Sequence, residues 1–177
     1  MAAAIKEVAE QQQYLTFLLA DEEYAISILR AKEIIGYDTV TSVPKTPTWV
    51  RGVINLRGNV VPVVDLAVRF GLAERPVTKT TCIIIVEWQM ETQNTMMGVM
   101  ADAVSQVMDI AAADIQPAPT FGTRVKVDYL RGMAQMGKKF ALLLDIDKVL
   151  SGEDTADLRE VSANLEKTEN KAATASA

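Results

Sequence analysis

Four charged side chains stand out for acid–base or ionic chemistry: Glu33, Arg57, Asp65 and Asp145. Asp65 and Asp145 resemble a carboxylate pair suited to general acid–base work. Each, however, follows an apolar strand-like run and precedes a helix-like stretch, where a carboxylate accepts the free amide hydrogens of a first helical turn. Capping explains both without catalysis. Glu33 and Arg57 can form a bidentate ion pair or each meet a partner's charge, whereas an ordinary exposed pair contributes little to stability. Other routes to chemistry are sparse. There is no histidine, which removes the commonest general base and metal ligand. The single cysteine, Cys82, lies in the apolar run Thr81–Trp88 and reads as a small buried residue rather than a reactive thiol. No Gly-Lys-Ser/Thr follows Gly52 or Gly58, so these glycines do not mark a phosphate loop. Asp21-Glu22-Glu23 reads as a solvated turn. Met90, Met96, Met97, Met100 and Met108 read mainly as core, with some available as an adaptable contact surface. The expectation is a chain with no catalytic residue, no cofactor and no metal.

The elements that position these residues form a repeat. Residues Trp49–Leu66, WVRGVINLRGNVVPVVDL, contain two apolar runs around the turn Arg57-Gly58-Asn59. Arg51-Gly52 is echoed by Arg131-Gly132, Val60–Val64 by Phe140–Leu144, and Asp65-Leu66 by Asp145-Ile146, a shift of 80. Upstream the shift is 73, pairing Ala25 with Gly98, Ile34 with Val107 and Pro44 with Pro117. Each copy then reads as a hairpin (Tyr14–Leu19 with Tyr24–Ile28; Thr81–Trp88 with Met97–Met100), an ambiguous helix-or-strand stretch at Ala31–Ile35 in the first copy, a second hairpin, and a short capped helix. That helix runs from Asp65 to Phe70 and ends at Gly71, with its counterpart at Asp145–Leu150. Asn55-Leu56-Arg57-Gly58 has no counterpart in the second copy, so function is expected there.

Each copy is small enough to be marginal alone. The runs Val60–Val64, Ile83–Val86 and Leu142–Leu144 are apolar at every position, which requires burial on both strand faces. Two small β-barrels packed together satisfy this, with barrel 1 over about 14–75 and barrel 2 over about 76–150. Pro62 lacks a ladder donor, placing its strand at an edge or its nitrogen facing outward. Residues 1–13 and 172–177 read as disordered, and Leu158, Val161 and Leu165 fall on one face of a helix over 151–171.

The chain has 177 residues and net charge −5, with no basic stripe to suit a nucleic acid and an acidic balance that anionic lipid would repel. The first residues lack the apolar block of a signal peptide, and no apolar run approaches the roughly 20 residues of a membrane span. A cytoplasmic protein with a protein or small-molecule partner is expected.

Glu22-Glu23-Tyr24-Ala25-Ile26, Glu33-Ile34, Arg51–Gly58, Val61–Leu66, Gln116–Pro119 and Tyr129–Gly132 closely resemble the bacterial chemotaxis coupling proteins of the CheW family, over about Tyr14–Ser151. The resemblance implies a mainly β fold of two five-stranded SH3-like β-barrels with short helices and a C-terminal helix. It implies a non-enzymatic adaptor linking the cytoplasmic tip of transmembrane chemoreceptors to the histidine kinase CheA, recruited to receptor arrays. Carried over by motif, the receptor side is Ile28, Ala31, Glu33, Gly52, Asn55, Arg57 and Gly98, and the kinase-barrel side Gln116 and Phe121. Two positions depart from the family pattern: Ala31 is smaller than the usual valine, and Gln116 stands where an arginine is expected. Arg57→Ala and Gly52→Asp are both expected to weaken receptor binding while leaving the fold intact. The alternative is a small-molecule or other signalling module using the groove between the barrels, which a closed cavity with convergent polar groups would favour.

Overall fold

In the computed structural model, residues 11–38, 40–89, 94–118 and 127–150 are described. Among the described residues, hydrophobic runs punctuated by glycine and polar turns become ten strands: β1 (Gln11–Leu19), β2 (Glu22–Ser27), β3 (Ala31–Gly36), β4 (Val50–Leu56), β5 (Asn59–Asp65), β6 (Cys82–Gln89), β7 (Asn94–Ala101), β8 (Ala103–Ala111), β9 (Leu130–Met136) and β10 (Lys139–Leu144). The ambiguous stretch at Ala31 resolves as strand β3. Strand β1 starts at Gln11, so the disordered tail expected to reach residue 13 is too long. Gln11–Gln13 pair with Asp109–Ala111 of β8, and that ladder satisfies their backbone groups. The expected helix over 151–171 lies outside the described residues.

The strands form two five-stranded sheets packed together, ordered β8-β1-β2-β10-β9 and β3-β6-β7-β5-β4. Each is closed toward a barrel by one backbone bridge between its ends: Thr41, beyond β3, pairs with Val53 of β4, and Gln116, beyond β8, pairs with Met133 of β9. The equivalence of the repeats is visible in the register. The parallel pair Val63↔Gly98 in one sheet matches Leu143↔Ala25 in the other, as the shifts of 80 and 73 require.

The division into barrels at residue 75 does not hold. Each repeat donates its first hairpin to the sheet built on the last three strands of the other: β1–β2 join β8, β9 and β10, while β6–β7 join β3, β4 and β5. Period-2 patterning specifies which faces of a hairpin are buried but not which repeat it pairs with.

The doubly apolar strands are buried on both faces because each separates two cores. Ile83 and Ile85 point into one barrel with Ile54, Val61 and Val63. Ile84 and Val86 point the other way, into a core between the sheets with Phe17, Tyr24, Ile26 and Val64. Tyr14, Ala25, Ala141 and Leu143 fill the second barrel. Pro62 is not on an edge, since β5 lies between β7 and β4. It faces Val53, whose N–H and C=O both bond Thr41 instead, and pairing with β7 begins only at Val63. The missing N–H is therefore needed on neither side.

Both capped helices form. Leu66–Arg69 is capped by Asp65, whose carboxylate accepts from the Val68 amide at 3.3 Å, and Gly71 follows with φ +82°. Ile146–Leu150 follows Asp145, which accepts from the Lys148 amide at 3.4 Å. Arg69 ties the helices together across the repeats: its guanidinium lies over Trp49 and Tyr129, and its Nε donates to the Val149 carbonyl at 3.1 Å.

Candidate functional site

Barrel closure brings β3 to the β4–β5 turn, and there Arg57 Nη2 donates to Glu33 Oε1 at 2.8 Å. Glu33 follows a register shift in β3 after Ala31. Arg57 and Gly58 occupy the two central turn positions with φ +53° and +87°, the pattern of a two-residue type I′ hairpin turn. Asn55 Oδ1 braces the turn by accepting from the Gly58 amide at 2.8 Å. In the second repeat the position matching Arg57 is Gly137, with φ +59°.

A left-handed conformation costs a side chain-bearing residue roughly 1–2 kcal/mol, which glycine escapes. The Arg57 side chain is 76% exposed, and an ion pair so exposed to water contributes about 1 kcal/mol at most. The pair does not offset the backbone cost. Arg57 shares its positive φ with Ala20, Asp21 and Lys45, but of these it alone has, among the described residues, a charged partner across the barrel rim, Glu33.

The other expected receptor-side residues divide. Asn55 is exposed beside Arg57. Ile28 and Ala31 are half-buried and pack against the core between the sheets. Gly52 and Gly98 are internal. A Cβ on Gly52 would sit 2.1 Å from the Thr41 carbonyl oxygen, on the bridge that closes the barrel. A Cβ on Gly98 would meet Ile83 Cγ2 at 2.7 Å inside the same barrel. A Cβ on Gly132, matching Gly52, would likewise sit too close to a backbone oxygen, 2.6 Å from that of Gln116, so this glycine belongs to the repeated scaffold. Gly52→Asp is therefore not expected to leave the fold intact, a correction to the reading from sequence. Gln116 is exposed at the other barrel's closing bridge, and Phe121 lies outside the described residues.

Asp65 and Asp145 do not form a shared acid–base site; each caps its own helix. Asp65 is buried, and burial raises its carboxyl above the ordinary 3.8 against the opposing pull of the Val68 amide and the Arg51 guanidinium. Arg51 Nε is buried without a hydrogen bond and sits 3.6 Å from Asp65 Oδ2, a charge contact too long for a good hydrogen bond. Cys82 is buried, and burial together with the Asp102 charge pushes its thiol up.

Two features escaped the sequence reading. Leu29 and Ile34 are exposed apolar residues near Ala31 and Glu33. Leu29 also helps line an open cleft of about 430 Å³ with Gln12, Arg30, Glu87, Arg131 and Asp147. Arg30 pairs with Asp147 there, so residues from both sheets and the second helix meet at the cleft. The alternation of β3 signals that Ile34 faces away from its neighbours Glu33 and Ile35, but nothing local places Asp147 beside Arg30, 117 positions away. The cleft is open and carries both charge signs, unlike the closed polar cavity that would favour a small-molecule site.

Comparison with known proteins assigns this architecture. The CheW-like domain family matches residues 13–154. The chain is 39% identical over 145 residues to the chemotaxis protein CheW of Klebsiella aerogenes, covering 82% of this chain and 85% of that protein. It is 29% identical over 142 residues to protein FrzA of Myxococcus xanthus, covering 79% and 86%. The crystal structure of the scaffolding protein TtCheW from Thermoanaerobacter tengcongensis superposes with a TM-score of 0.73 at 31% identity, covering 81% of this chain and 90% of that one. The match spans both sheets and the exchanged hairpins, and on that ground the chain belongs to the CheW-like domain family.

Proposed function

We propose that this protein is a non-catalytic chemotaxis adaptor that binds the cytoplasmic tip of chemoreceptors and the kinase CheA, so that receptor state controls autophosphorylation. The carrying observation is the Glu33–Arg57 pair: charged, solvent-facing, on a strained turn, and present in one repeat only. Glu33 and Arg57 orient the receptor helix, and Asn55 holds the turn that presents Arg57. Ile28 and Ala31, with exposed Leu29, supply apolar contact area nearby. Gly52 and Gly98 act indirectly, by allowing the barrel to close and pack beneath the rim. Exposed Gln116 contributes to contact with a kinase barrel, a role that the family resemblance also gives Phe121. Signal passes only if affinity differs between receptor–kinase states.

The test is co-sedimentation with receptor membranes and CheA, scoring kinase activity. Arg57→Ala is expected to weaken receptor binding by about 2 kcal/mol, roughly thirtyfold, the scale of one charge-assisted hydrogen bond. Unchanged sedimentation of Arg57→Ala would remove the pair from the receptor site. Failure of the native protein to co-sediment or to alter kinase activity would remove the adaptor reading itself.

A further inference from the structure

The hairpin exchange makes the two repeats partners in a self-complementary interface. The ladders β1–β8, β2–β10, β3–β6 and β5–β7 all run between repeats, whereas the intra-repeat ladders are the hairpins β1–β2, β4–β5, β6–β7 and β9–β10. A single repeat holds three strands of one sheet and two of the other, so it can complete neither barrel. The core between the sheets is likewise filled by both, with Phe17, Tyr24 and Val64 from the first repeat against Ile84, Met97 and Val149 from the second. By contrast, the covalent connection from the first helix to β6 is mostly exposed. It is held at the surface by ion pairs of Glu74 with Arg51 and of Arg75 with Asp21 and Asp102, interactions worth little in water. The connection raises the effective concentration of one repeat for the other but builds almost none of the interface.

We infer that this repeat-to-repeat surface is competent in trans: a second copy of the chain can supply the missing hairpins, giving a reciprocally exchanged dimer of two complete globules. This holds whatever the protein binds. Within one chain the short connection favours self-pairing, so exchange emerges when self-pairing is spoiled or the chain refolds at high concentration.

Complementation between two full-length variants provides the test. Gly52→Asp damages the first repeat and Gly132→Asp the second, because each new side chain would meet the backbone of its own closing bridge. An exchanged dimer of one variant with the other concentrates both lesions in one globule and leaves the other intact. Unfolded together and refolded, the mixture is expected to yield a species of twice the chain mass with an unfolding transition at the native midpoint. Neither variant alone gives this. A mixture that unfolds as the average of its separate components overturns the inference. Should either variant fold normally by itself, a protease site replacing residues 75–79 of the otherwise native chain decides the matter. After cleavage, unfolding and refolding, the two pieces are expected to co-elute one to one at native size. Pieces that elute separately overturn the inference equally.

Discussion

At the scale of single residues, backbone conformation separates positions that carry a side chain at some strain from positions that exclude one. Arg57 and its repeat mate Gly137 occupy the same turn position at φ +53° and +59°. If Arg57 is retained for recognition, Arg57→Gly should be more stable than Arg57→Ala by about 1 kcal/mol, since only glycine relaxes the left-handed conformation. Both should lose receptor binding alike. Urea unfolding of the two variants checks the order, and an alanine variant as stable as the glycine one would show that the turn carries no strain. Gly52 gives the opposite case. Its missing Cβ leaves room for the Thr41 carbonyl, so Gly52→Asp should cost at least about 2 kcal/mol through steric and backbone strain. Gly58 has φ +87° but nothing within 4 Å of its Cβ position, and Gly58→Ala should cost only about 1–2 kcal/mol. If calorimetry finds Gly52→Asp no worse than Gly58→Ala, the closing bridge is not what excludes a side chain at Gly52.

At the scale of elements, the capped helix after β5 joins a buried charge to a structural task. Burial dominates at Asp65, so the folded chain takes up the proton more readily than the unfolded one. The resulting stabilisation is full below pH 3.8, the ordinary value, and is lost as pH rises through the higher folded value. Asparagine keeps the capping acceptor and removes the titration. The stability of the native protein relative to Asp65→Asn should therefore fall as pH rises from below 3.8 toward neutrality. Paired urea titrations across that range check it; a difference that grows with pH would mean the Arg51 contact outweighs burial. These elements also mark how far sequence carries. The repeated Arg-Gly, apolar run and Asp were legible because they impose the same bridge, strand and cap twice. Glu33 and Arg57 were legible because their repeat mates are Gln106 and Gly137, which cannot form an ion pair. Sheet membership was not legible, since β6 and β7 are apolar on both faces whichever strands flank them. For the same reason Gly98 could not be separated from a surface glycine: Met97, Val99 and Met100 are apolar, so alternation does not reveal which face of β7 looks into the barrel.

For the whole molecule, exchange replaces two separable domains with one cooperative body. Each sheet draws strands from both repeats, and the central core receives side chains from both sheets. Opening one barrel therefore withdraws a hairpin from its own ladder and strips apolar cover from the other. Trp49 and Trp88 both lie in that shared core, so their fluorescence reports on contact between the sheets, while far-ultraviolet circular dichroism reports on all strands. The two signals should trace a single, coincident urea transition. Ile84 is fully buried on the strand face that looks between the sheets. Ile84→Ala should cost about 2–5 kcal/mol as a large-to-small core substitution and move both signals together. Fluorescence falling to a lower urea concentration while circular dichroism stays in place would mean that the barrels separate before they unfold, and that strand exchange does not bind them into one folding unit.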